Sequence, residues 1–134
     1  RHNANRYTQL FIEAGLAEET GRISFDAKNS VLLPKAVYEK SGSKNYHIYN
    51  QYIVRVDKRD EMRKYLTKNE IGTEIYYPVP FHLQECFKDL GHKKGDFPIS
   101  EFSADKSLAL PIYPELSDEQ LIFVVETFKK FFNQ

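Results

Sequence analysis

The chain has 134 residues, enough for one domain with a real core, and its 41% apolar and 14% aromatic content favours a folded class over disorder. Its 19 basic and 19 acidic residues cancel, which argues against nucleic acid or an anionic membrane as the main partner. No apolar run approaches the roughly 20 residues of a spanning helix, and the lone Cys86 allows no internal disulfide, so a reducing, cytoplasmic setting is expected.

Residues 3–14 predict an amphipathic helix. Tyr7, Leu10, Phe11 and Ala14 fall at i, i+3, i+4 and i+7, and Gly15 can end it. Residues 16–30 read as a connection. Val31 to Tyr38 predicts a short strand broken by Pro34. Tyr46 to Val56 predicts a longer one, with Tyr46, Ile48, Asn50, Tyr52, Val54 and Val56 on the more apolar face. Arg55 reads as a salt-bridged strand end. Asp57 reads as the N-cap of a helix whose buried stripe is Met62, Tyr65 and Leu66.

From Gly72 the alternation of Thr73, Ile75 and Tyr77 with Glu74 and Tyr76 predicts a strand. Pro78 and Pro80 stop it, because proline lacks the N–H a sheet needs. Strand, helix and strand here have βαβ size. The result is a stiff Pro-Val-Pro arm that carries two tyrosines and leads to His82, a support of the kind on which ligand sites are built. Residue types alone favour a plainer reading, a buried tyrosine pair and a surface histidine.

Leu83, Cys86, Phe87 and Leu90 predict a short helical face that buries Cys86 as a small hydrophobe. His92 reads as solvated. Phe97 to Lys106 predicts a helix with Pro98 in its first turn, and Leu108 to Pro111 a buried strand. The last helix is the best marked. Ser117 and Gln120 form a capping box, Leu116 and Leu121 a staple, and Leu121, Val124, Val125 and Phe128 a core stripe. The expected fold is α+β: a small, mainly antiparallel sheet of three to four strands with helices on one face.

Phosphate-binding glycine loops, the His-Glu-x-x-His pattern and the Gly-x-Ser-x-Gly elbow are absent, and the histidines at 2, 47, 82 and 92 lack ligand spacing, so no metal site is expected. No self-contained catalytic centre is legible. Four ordered pieces carry a resemblance. They are His47-Ile-Tyr-Asn-Gln-Tyr-Ile-Val-Arg55, Arg59-Asp60 through Leu66, Gly72-Thr-Glu-Ile-Tyr-Tyr-Pro-Val-Pro-Phe-His-Leu-Gln84, and Gly95-Asp-Phe-Pro98 with Glu101 followed by Leu108 to Leu116. Together they resemble the C-terminal segment of the DegT/DnrJ/EryC1/StrS sugar aminotransferases, over nearly the whole chain.

That resemblance implies a fold type I enzyme. Its large N-terminal domain carries pyridoxal phosphate on a lysine, and a small α+β domain closes one side of the site. In such enzymes the cofactor is the electron sink, and an amino group moves from glutamate to a nucleotide-linked keto-sugar, generally in a homodimer. The family serves surface-polysaccharide, lipopolysaccharide and antibiotic-sugar pathways. Residues 1–134 are then expected to be the small domain of a longer enzyme, with residues 1–15 as the interdomain helix. Catalytic and cofactor-binding residues are expected outside this chain, and no cofactor on this piece alone. The resemblance places Tyr76, Tyr77 and His82 against the nucleotide-sugar. His47, Asn50 and Gln51 come second, with a polar network bracing the sheet as their alternative role. An independent ferredoxin-like ligand-binding or regulatory module is the competing reading of the whole chain.

Overall fold

In a computed structural model, described over residues 1–133, helix α1 (His2–Glu13) opens the chain. It stops where expected. Gly15 takes φ +72°, its N–H donates to the Ile12 carbonyl at 3.0 Å, and the Leu16 N–H donates to the Phe11 carbonyl at 3.1 Å. This paired closure satisfies carbonyls that the helix end would leave orphaned, and it requires a left-handed residue that glycine supplies without strain.

The sheet has three antiparallel strands in the order β1 (Val31–Leu32), β2 (Tyr52–Val56) and β3 (Ser107–Leu110). Val31 pairs with Val56, and Tyr52 with Leu110. Along β2 the side chains of Tyr52, Val54 and Val56 are buried while Ile53 and Arg55 are half-buried, the period of two that puts alternate residues on opposite faces. Helices α1, α2 (Arg59–Lys68) and α4 (Asp118–Phe132) enclose the first face. The short helix α3 (Pro98–Lys106), with Pro98 in its first turn, meets the other face, where Phe102 lies under the Arg55 guanidinium.

The core is aromatic at its centre. Phe11 and Phe128 meet edge to face at 5.2 Å, and Tyr7 packs on Tyr52 at 5.1 Å. Both phenols find partners. Tyr7 donates to the Pro111 carbonyl at 3.0 Å, and the Tyr52 hydroxyl lies 2.8 Å from that of Thr8. Burial pushes both phenol pKa values up. Helix α4 begins with the predicted capping box. The Ser117 Oγ accepts from the Gln120 N–H at 3.3 Å, and Gln120 Oε1 accepts from the Ser117 N–H at 2.9 Å. Arg6 binds Asp118 through two hydrogen bonds of 2.6 and 3.0 Å, tying α1 to the start of α4.

Several expectations are corrected. The strand predicted from Tyr46 begins only at Tyr52: Tyr49 sits at φ +50°, which no strand accommodates. Residues 73–77 form no strand. Only Glu74 pairs, with Ala109 at the far edge of β3, leaving a single bridge where a fourth strand was expected. The expected βαβ unit is thus reduced at its second strand. Residues 81–90 form two 3-10 turns, Phe81–Leu83 and Glu85–Leu90. A 3-10 turn has three residues per turn, so the stripe counted at helical spacing does not line up, and Cys86 is exposed. Asp57 does not cap α2. It accepts instead from the Lys106 ammonium, through its carbonyl at 2.9 Å and its carboxylate at 3.0 Å. Arg55 forms no ion pair among the described residues.

Candidate functional site

The arm leaves the sheet at the Glu74–Ala109 bridge, where two backbone bonds of 3.2 and 2.8 Å fix its root. Ile75 points into the core, and the chain then turns outward. Tyr76 and Tyr77, joined by a cis peptide bond, hold their rings edge to face at 5.8 Å. Tyr77 is 67% exposed and Tyr76 40%, so the plainer reading of a buried pair is overturned. The two prolines explain this: they deny the segment ladder hydrogen bonds and hold it extended over the surface.

His82 is the reverse case. Its side chain is 6% exposed, so the surface histidine of the plainer reading is overturned as well. Its Nε2 lies 2.9 Å from Glu101 Oε1, and its ring meets the edge of Phe97 at 4.8 Å. The same Glu101 oxygen accepts the Gly95 N–H at 2.7 Å. These bonds, Gly95 first and His82 second, hold the Glu101 carboxyl below the usual range. An ionised Glu101 is acceptor-only, so the histidine presents Nε2–H to it. His92, as expected, lies in the exposed loop, 3.5 Å from the Asp96 carboxylate.

Two grooves flank the tyrosines. A small cleft of about 170 Å³ runs between the arm and α3, lined by Tyr76, Tyr77, Phe81, Gln84, Ser100 and Ser103. A wider groove of about 340 Å³ lies along the β3 edge, lined by Asn50, Gln51, Thr73, Glu74 and Tyr76. Of the six residues singled out in sequence, Tyr76, Asn50 and Gln51 meet in this wider groove, and Tyr77 joins Tyr76 in the cleft. His82 lies beneath the arm and lines neither. His47 stands apart: its Nδ1 accepts the Tyr49 N–H at 2.9 Å and its ring stacks on Tyr49 at 4.0 Å.

Sequence reasoning missed two residues here. Thr73, in the wall of the wider groove, has a buried hydroxyl with no hydrogen-bond partner among the described residues. An unpaired buried hydroxyl is unfavourable by about 1–3 kcal/mol. Nothing in a strand-like alternation marks it. Glu101 was legible as part of a motif, but its partner His82 stands 19 positions away.

Pyridoxal phosphate would need a lysine that is shielded and easily deprotonated. No lysine among the described residues is buried. Lys106 is engaged by Asp57 and Asp105, and these raise its pKa, the wrong direction for a neutral amine. The lysines of this chain do not fit that cofactor, and no step is assigned through it. No cluster of metal-binding side chains occurs among the described residues.

The sequence profile of the DegT/DnrJ/EryC1/StrS aminotransferase family matches residues 25–129. A "Pleiotropic regulatory protein" of Geobacillus stearothermophilus is 38% identical over 132 residues, covering 98% of this chain and 31% of the relative. A dTDP-3-amino-3,6-dideoxy-alpha-D-galactopyranose transaminase of Aneurinibacillus thermoaerophilus is 34% identical over 85 residues, covering 63% of this chain and 23% of the relative. Among solved structures, S. venezuelae DesV in complex with a ketimine intermediate superposes with a TM-score of 0.71 at 26% identity, covering 98% of this chain and 32% of that one. The likeness is to the C-terminal portion of sugar aminotransferases, and the chain spans under a third of the length of these relatives. On the profile match and the long alignment together, this chain belongs to the DegT/DnrJ/EryC1/StrS aminotransferase family.

Proposed function

We propose that this chain is the C-terminal domain of a pyridoxal-phosphate aminotransferase that moves an amino group from glutamate to a nucleotide-linked keto-sugar. In this reading the chain supplies one wall of the substrate site and contacts within a homodimer, and the cofactor lysine lies in polypeptide outside residues 1–134. The names of the relatives support the substrate class: they include dTDP-sugar transaminases and an aminotransferase acting on a UDP-N-acetyl-3-dehydro-glucosamine.

The observation that carries the proposal is the exposed tyrosine pair set between two grooves. A ring 67% exposed on a proline-stiffened arm is held away from the core at a cost in hydrophobic burial. It offers a flat face for a base or sugar and a hydroxyl for a hydrogen bond. The amides of Asn50 and Gln51 supply donors and acceptors matched to sugar hydroxyls. His82 acts indirectly, by holding the arm on α3 through Glu101.

The test uses the full-length protein. It is expected to bind pyridoxal phosphate, with the visible absorbance of a lysine Schiff base, and to aminate one member of a panel of keto-sugar nucleotides with glutamate as donor. A well-folded full-length protein without that band would overturn the reading.

A further inference from the structure

The sheet face that carries Ile53 and Arg55 holds another recess, of about 420 Å³. Arg22, Lys35 and Arg55 line it together with the Ser103 and Ser107 side of α3 and β3, and no carboxylate does. Cations gathered in one recess repel one another unless something negative joins them, and only Arg22 has carboxylate partners here. In a chain with as many acidic as basic residues, such a gathering is not forced by composition.

Each cation is positioned by a different device. Arg22 is paired with Glu19 and Asp26, neither of which lines the recess. The Lys35 stem packs on Gly21, which has φ +79°. A Cβ at that glycine would lie 2.8 Å from Lys35 Cδ, so the close approach requires glycine. The Arg55 guanidinium is held 5.9 Å above the Phe102 ring. Lys35 and Arg55 have no carboxylate partner among the described residues. Neither charge is compensated by a neighbouring carboxylate.

We propose that this recess binds a phosphoryl anion, and a diphosphate in preference to a single phosphate. An arginine fork offers paired donors to two oxygens, a lysine adds a point charge, and serine hydroxyls can donate to the remaining oxygens. The recess is separate from the wider groove beside Tyr76, although Ser103 lines both it and the small cleft under the arm. The inference stands without the aminotransferase reading, because binding is read directly.

Inorganic pyrophosphate is titrated into the full-length protein by calorimetry at low ionic strength, with inorganic phosphate as the weaker comparison. The expected result is saturable binding at one site per chain, weakened about ten-fold in Lys35→Gln and in Arg55→Gln, the share of one charge-assisted hydrogen bond. Lys64→Gln, on the exposed side of α2, should bind as the parent does. Gly21→Ala keeps every charge but displaces Lys35, and should weaken binding too. Competition by uridine diphosphate would support the site and identify a nucleotide as the source of the anion. Lack of competition, with pyrophosphate still bound, would support it for a ligand without a nucleotide. Absence of saturable binding, or an equal loss in Lys64→Gln, would overturn the proposal. Should Arg55→Gln fail to fold by circular dichroism, the exposed Lys35→Gln still decides.

Discussion

His82 Nε2 stands 2.9 Å from Glu101 Oε1, and that one oxygen also takes the Gly95 N–H. The end of the tyrosine arm, 19 residues back, thus meets the loop before α3 and α3 itself on a single carboxylate. The folded-state pKa of Glu101 lies below its ordinary 4.5. A carboxyl lowered in this way contributes stability that is complete above its unfolded value and is lost as pH falls through the folded one. Thermal melts should therefore show stability holding down to about pH 5 and declining below it. Glu101→Gln should flatten part of that acid slope. Asp26, Asp118 and Glu119 are also lowered and should supply the rest.

The same junction separates positioning from contact. On the proposed function, Tyr77→Phe in the full-length protein removes a hydroxyl at the exposed tip of the arm, and His82→Ala releases the arm from α3. Both should raise KM for the sugar nucleotide by about ten-fold, the worth of one good hydrogen bond. The cofactor absorbance band should be unchanged in each. Only His82→Ala should also lower the melting temperature, because only His82 is buried. Steady-state kinetics beside absorbance spectra check both variants.

The capping box gives a local stability test. Ser117→Ala removes the acceptor of the Gln120 N–H and should cost about 0.5–2 kcal/mol. A urea titration should show a lower midpoint at an unchanged slope, since the surface exposed on unfolding stays the same.

Phe11→Ala should be far more damaging. Phe11 is fully buried and packs edge to face on Phe128, so truncation leaves a cavity between α1 and α4. The expected loss is about 3–5 kcal/mol, read from the same titration.

Helix α4 was legible because its signals are local and agree: a capping box, a staple and an apolar stripe at one spacing. Strand β2 was legible only in its second half. The alternation Tyr46, Ile48, Asn50 matches a strand as well as Tyr52, Val54, Val56 does. What separates them is Tyr49 at positive φ and the absence of a partner strand, and neither shows in an apolar pattern. Cys86 was misplaced for a related reason: a stripe counted at 3.6 residues does not describe 3-10 turns. At the site, the family resemblance singled out Tyr76, Tyr77, Asn50 and Gln51, which line grooves, and His82 and His47, which do not line those two. The role of Glu101 and the unpaired Thr73 hydroxyl depend on which segments the fold brings together, and no local spacing encodes that.

The arm is attached at its root by the Glu74–Ala109 bridge and the buried Ile75, and at its far end by the His82–Glu101 bond, while its tyrosine tips add nothing to the central aromatic packing. Selection can therefore rewrite the tips from one descendant to the next without touching the scaffold that carries them. A lineage could change what the arm grips while its melting temperature stays where it was.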